Sequence, residues 1–267
     1  MKGFTTVRRV ATAVGVFVFA LTACSGGGVT GTPVGSPVEG PGRVFAAVGA
    51  SETVGIGTDD PIRDAWPRVL WRSALADAAY YDLGIPGSTT GEALNYQVSQ
   101  ALSVEPDVVT VWLNVNDLIA RVPVATYERQ LGLLVRQLRR GGRTQVLVAS
   151  TPELTSLPVY LACRPDPPTG GPDCALPFPL PAPEVVRAAV DAYNDAIARV
   201  VKREGAILVD LGAFGDAPAA HPEYIASDGF HPSTLGAEVI ARAFADALPE
   251  SERVSREPSP TPVATSG

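Results

Sequence analysis

Histidine is nearly missing from this chain. Two occur in 267 residues, His221 and His231, so any chemistry that needs an imidazole base near neutral pH must use one of them. Basic charge is also short. Lysine and arginine number 21 against 28 aspartates and glutamates, a formal charge of −7. Nothing forms the basic stripe with which a protein displaces counterions from nucleic acid, which excludes nucleic acid as a partner. The apolar run near the start, Val10 to Ala20, falls short of the ~20 residues that cross a bilayer. Cysteine is sparse and odd in number, three in all, and a leftover thiol calls for a separate role.

What is present begins with an address. Residues 1–23 read as an export signal, with Lys2, Arg8 and Arg9 ahead of the apolar run. The run ends in Leu21-Thr22-Ala23-Cys24, which resembles the lipobox of bacterial lipoproteins. That resemblance implies an acylated Cys24 as the first residue of the mature chain, and contact with the membrane through the lipid only. Removing three bases and no acid leaves 18 basic residues against 28 acidic, a net of −10. Residues 25–42 (SGGGVTGTPVGSPVEGPG) have linker composition, too poor in apolar side chains to pack. With Cys24 on lipid, Cys163 and Cys174 are expected as a disulfide in an oxidising, extracytoplasmic compartment. Only Asp166 and Asp173 lie between them as further ligands, too few for a zinc site.

From Arg43 to Leu248 the pattern is that of one α/β domain. Short runs at 44–49, 79–83, 108–113, 146–149 and 206–211 read as strands, and the first, apolar on both faces, suits a buried parallel strand. Between them lie helical stretches. Residues 64–77 read as a helix with its regular start near Trp66, and Thr89 or Thr90 caps the next, with Glu92 in its first turn. Tyr127, Leu131, Leu134 and Leu138 mark another, stopped by Gly141-Gly142; Val186, Val190, Tyr193, Ile197 and Val200 mark a longer one. Residues 152–183 hold ten prolines and read as an irregular excursion, a lid or a wall of the site. Residues 235–248 close the domain as a helix, and 249–267 read as a disordered tail. Five strands alternating with helices predict a three-layer α/β sandwich around a five-stranded parallel sheet.

In such sheets, ligands bind beyond the carboxyl ends of the strands. Ser51 follows the first strand, Gly87 the second, Asn116 the third and the Asp228/His231 loop the fifth. Asp228 and His231 are joined through Gly229, which lets the backbone turn tightly. Each residue has a plainer reading. Asp228 could cap the helix starting at Ser233 or Thr234, Gly87 could be a turn glycine, and Asn116 or Asp117 could cap the next segment. His221 reads as a surface-loop residue, and Trp66, Trp71 and Trp112 as core.

Four blocks, in order, resemble the SGNH (GDSL-type) esterases and lipases. They are Gly49-Ala50-Ser51-Glu52-Thr53-Val54-Gly55, Gly84-Ile85-Pro86-Gly87-Ser88, Asn114-Val115-Asn116-Asp117 and Asp228-Gly229-Phe230-His231-Pro232. The resemblance implies a flavodoxin-like fold and a serine ester hydrolase forming an acyl-enzyme on Ser51. His231 would be the base, Asp228 its partner, and Ser51, Gly87 and Asn116 the oxyanion donors, with no metal or organic cofactor. Two positions depart from the family pattern: Ala50 stands for Asp in G-D-S, and Asn114 for Gly in G-x-N-D. Asn114 is the bulkier and bears on substrate range. The substrate class stays open among small-molecule, lipid and glycan esters. A carbohydrate deacetylase, an acyltransferase and a non-catalytic glycan- or lipid-binding module remain as alternatives.

Overall fold

The structure, a computed structural model, describes residues 42–253 apart from 172, 175, 177, 178 and 213–216. The expected signal (1–23), Cys24 and all of the linker but Gly42 lie outside the described residues.

Five strands form one sheet: β1 (Val44–Gly49), β2 (Ala79–Asp82), β3 (Val108–Trp112), β4 (Gln145–Ala149) and β5 (Ile207–Val209). Their order is β2-β1-β3-β4-β5, and every pairing is parallel. This is the doubly wound, flavodoxin-like arrangement, whose order reverses between β1 and β3. The register sets Gly49 opposite Trp112, so the residues after these two strands emerge level with each other. Connecting segments carry α1 (Pro61–Asp64), α2 (Trp66–Ala74), α3 (Thr90–Ser103), α4 (Asn114–Ile119), α5 (Val124–Leu138), α6 (Pro158–Cys163), α7 (Pro183–Glu204), α8 (Ala217–Ala220) and α9 (Thr234–Ala247).

Alternation along the strands sorts the core into two layers. Ala46 and Val48 face one way with Val109, Val111, Val146 and Val148, and α3, α5 and α7 cover them. Phe45 and Ala47 face the other way with Leu147, Ala149 and Val209, under α2 and α9. Aromatic pairs fasten each cover. Trp66 of α2 stacks on Phe244 of α9 at 4.2 Å, and Tyr127 of α5 on Tyr193 of α7 at 4.4 Å. Trp66 and Trp112 are buried, in line with the core reading.

Local chemistry explains most boundaries. Thr89 caps α3 in a reciprocal box with Glu92. Pro183 opens α7 and Gly205 closes it in the left-handed conformation. Helix α2 begins at Trp66 as expected, but the residues ahead of it form a separate turn of helix, α1, capped by Asp60. β5 is shorter than its apolar run. The Ser150 hydroxyl accepts from the Leu211 and Gly212 N–H groups at 2.8 and 3.0 Å and turns the chain out of the sheet. The ordered domain also runs five residues past Leu248. Residues 250–252 form a 3-10 turn, and Glu252 pairs with Arg43 at 2.6 Å.

The excursion at 152–183 contains α6 and the expected disulfide. Cys163 and Cys174 are bonded, with Cα atoms 4.7 Å apart. Among the described residues, no helix is long and apolar enough to cross a membrane.

Candidate active site

The turn after β1 is built on the Ala50 carbonyl, which accepts from the Thr53 and Val54 N–H groups, and on Ser51 O, which accepts from Ile56 at 2.9 Å. Ser51 sits in it with 8% of its surface exposed. Its O–H points to His231 Nε2 at 3.0 Å. On the far side of the ring, Nδ1 lies 2.6 Å from Asp228 Oδ2. An ionised Asp228 requires the hydrogen on Nδ1, which leaves Nε2 free to accept the serine proton. Burial alone would raise the Asp228 carboxyl. The His231 ring and the N–H groups of Phe230 and His231 outweigh it, and the group rests below the usual carboxylate range.

Asp228 also shapes its own loop. Its Oδ1 accepts from Phe230 N at 2.9 Å and His231 N at 3.0 Å. It does not cap the following helix; Ser233 does, accepting from Gly236 N. Two further contacts hold the loop against the Ser51 turn. Thr234 Oγ1 donates to Asp59 Oδ2 at 2.9 Å and accepts from Asp59 N at 3.0 Å. Gly57, at φ 98°, leaves the space a side chain would need: a Cβ there would come within 2.7 Å of His231 Cβ.

Gly87 and Asn116 belong to two adjoining loops. Gly87 has φ 79° and nothing within 4 Å of where its Cβ would be. Asn116 Nδ2 donates to the Ser88 carbonyl at 3.1 Å. Asp117, expected as a cap, instead lies inside α4, fully buried. Its Oδ2 accepts from the N–H and hydroxyl of Thr90, both at 2.8 Å, so it anchors the start of α3 to α4. Burial raises its carboxyl, against those two hydrogen bonds.

Sequence reasoning missed the residue that links these loops to the turn bearing Ser51. Gln97, buried on α3, takes both backbone groups of Gly49: the Gly49 N–H donates to Oε1, and Nε2 donates to Gly49 O, each at 3.0 Å. The same Nε2 reaches Ser88 Oγ at 3.1 Å. Its signal was a polar residue spaced four from Ala93 and four from Ala101, all three buried. Glu52 was missed too. Its Oε2 lies 3.4 Å from Ser51 Oγ, and burial pushes its carboxyl from an ordinary 4.5 up to about 7.

A cleft of about 120 Å³ opens beside His231 and Glu52, with walls that include Trp112, Leu154, Leu157, Phe230, Val239 and Ile240. The excursion after β4 thus supplies part of the wall. It also supports the loop that carries Asp228 and His231, since Val159 N donates to Gly229 O at 3.1 Å. The other histidine stands apart. His221 is exposed, 3.0 Å from Glu223 and stacked on Tyr224.

The model of the GDSL-like lipase/acylhydrolase family matches residues 47–239. This chain belongs to that family. Membership supports ester hydrolysis as the general activity of this GDSL-like hydrolase. Solved structures share its fold at low identity. A lipase/acylhydrolase from Enterococcus faecalis is 20% identical with a TM-score of 0.56, covering 76% of this chain and 94% of its own. The esterase EstA from Pseudoalteromonas sp. is 16% identical with a TM-score of 0.54, covering 77% and 96%. A family 3 carbohydrate esterase from Clostridium thermocellum is 18% identical with a TM-score of 0.53, covering 77% and 94%. A search of curated proteins returns no match for the GDSL-like hydrolase.

Proposed function

We propose that this GDSL-like hydrolase cleaves carboxylic esters through an acyl-enzyme on Ser51. The observation that carries the reading is the hydrogen-bonded chain from Ser51 Oγ through His231 to Asp228. Ser51 Oγ attacks the ester carbonyl carbon as His231 Nε2 takes its proton, and the carbonyl π pair moves onto oxygen. Asp228 fixes the tautomer and stabilises the imidazolium. The Ser51 and Gly87 N–H groups and the Asn116 side chain hold the oxyanion; losing one such donor costs about 10²–10³ in turnover. Collapse expels the alcohol, which takes the His231 proton. Water then repeats the sequence on the acyl-enzyme, giving its proton to His231 and releasing the acid. Neither a metal nor an organic cofactor has a step.

The second part of the proposal is location. Residues 1–23 direct export, Cys24 carries the lipid, and 24–42 let the domain 43–253 stand off the membrane. The Cys163–Cys174 disulfide supports an oxidising compartment.

A fluorophosphonate probe and a panel of p-nitrophenyl esters of increasing acyl length test the chemistry, with Ser51→Ala as control. The wild type is expected to label and to turn over the short esters, and the variant to do neither. A folded wild type that fails to label favours the non-catalytic binding module.

A further inference from the structure

The turn after β1 puts a carboxyl where the surrounding wall is apolar. Glu52 follows the nucleophile directly, 3.4 Å from its Oγ, and shares the cleft with Trp112, Leu157, Phe230 and Val239. The other carboxyl on the wall, Glu153, is turned onto the N–H and hydroxyl of Thr155. Among the described residues, neither lysine nor arginine lines the cleft. A position beside the nucleophile in so apolar a setting gives a carboxyl no structural gain, because burial penalises its charged form.

The cleft also has a side. His231 must return its proton to the departing oxygen, so the alcohol half of an ester lies toward His231. Phe230, His231 and Pro232 are all part of the cleft wall, and the alcohol half is therefore what enters it. Glu52 keeps part of its surface open to the cleft. A ligand that fills the space closes off that surface, and an alkyl chain offers no hydrogen bond in exchange. Stranding the carboxyl then costs roughly tenfold or more in binding.

We infer that Glu52 selects esters whose alcohol half carries a hydrogen-bond donor, a hydroxyl or an ammonium, close to the ester oxygen. The inference rests on the serine-hydrolase reading of Ser51. Its carboxyl, lifted to about 7 by burial, offers both a donor and an acceptor to a hydroxyl below that pH. Above it, the carboxylate accepts from either group.

Three acetates matched in heavy atoms test it: propyl acetate, ethylene glycol monoacetate and 2-ammonioethyl acetate. Each is assayed at about pH 8, above the Glu52 titration near 7, where the carboxyl is ionised and the amine still carries its proton, with wild type, Glu52→Gln and Glu52→Leu. Ratios of kcat/KM are compared between proteins, so intrinsic ester reactivity cancels. Going from wild type to Glu52→Leu, the ratio of at least one polar acetate to propyl acetate is expected to fall about tenfold or more. Glu52→Gln keeps the hydroxyl preference and loses an ammonium preference. A hydroxyl preference alone points to polyol or sugar esters, an ammonium preference to amino-alcohol esters. Unchanged ratios in Glu52→Leu overturn the inference. Fluorophosphonate labelling of all three proteins separates the two failures: an unlabelled, inactive wild type removes the parent reading and this one with it.

Discussion

Asp228 divides its two oxygens between two jobs, and substitution can separate them. Oδ1 holds the loop through Phe230 N and His231 N, while Oδ2 faces the imidazole. Asp228→Asn keeps an acceptor for the loop but presents an amide to Nδ1, which favours the wrong tautomer. Turnover is expected to fall by about 10⁴ with the melting temperature nearly unchanged. Asp228→Ala should lose activity and melting temperature together, and kinetics beside thermal melts read the two apart. Glu52 bears on stability in the opposite sense to a paired carboxylate. Between pH 4.5 and about 7 the unfolded chain loses this proton while the folded chain keeps it, so stability falls as pH rises through that window. Glu52→Gln removes the effect. Its melting temperature should gain on the wild type from pH 4.5 to 7 and then hold a constant lead; a difference independent of pH would contradict the assignment. Asp82 and Asp117, also raised by burial, act in the same direction in both proteins and cancel. The meeting of Ser51, Asp228 and His231 was legible in the sequence because each stands in a short motif of fixed spacing after a strand. Glu52 was not, since its meaning comes from Trp112, Phe230 and Val239, which are brought to it from other elements.

Among elements, α3 has the widest reach into the site. One face packs on the sheet, while Gln97 clamps Gly49 to Ser88 and Thr90 is held by Asp117 of α4. The loops bearing Ser51 and both proposed side donors are thereby set against one helix. Gln97→Leu has nearly the same volume but orphans the Gly49 N–H, and leaves the Gly49 carbonyl with Ile85 N–H alone and the Ser88 hydroxyl with Thr89 O. A buried orphan costs about 1–3 kcal/mol. The melting temperature should drop by several degrees, and kcat should fall more than KM rises on a short ester. Equal stability loss with unchanged kcat would make Gln97 structural only. The long helices and buried strands were legible because their apolar periods repeat. α4 and α6 were not. Each spans six residues, too short to show a period, and α6 is embedded in a proline-rich stretch where breaker residues dominate the signal. For the same reason Asp117 read as a cap when it is a buried anchor.

At the scale of the whole molecule, the sheet order brings the loops after β1, β3 and β5 to one rim, and the acidic surface gives that rim no basic field to draw in anionic partners. The two ends of the domain also meet away from the rim, through Arg43 and Glu252. The Ser51–His231 contact joins positions 180 residues apart. The hydroxyl at the turn after β1 is therefore made 180 residues before the imidazole it meets. A chain cut before residue 231 keeps Ser51 without that partner, so this hydrogen bond reports a domain assembled from both of its ends.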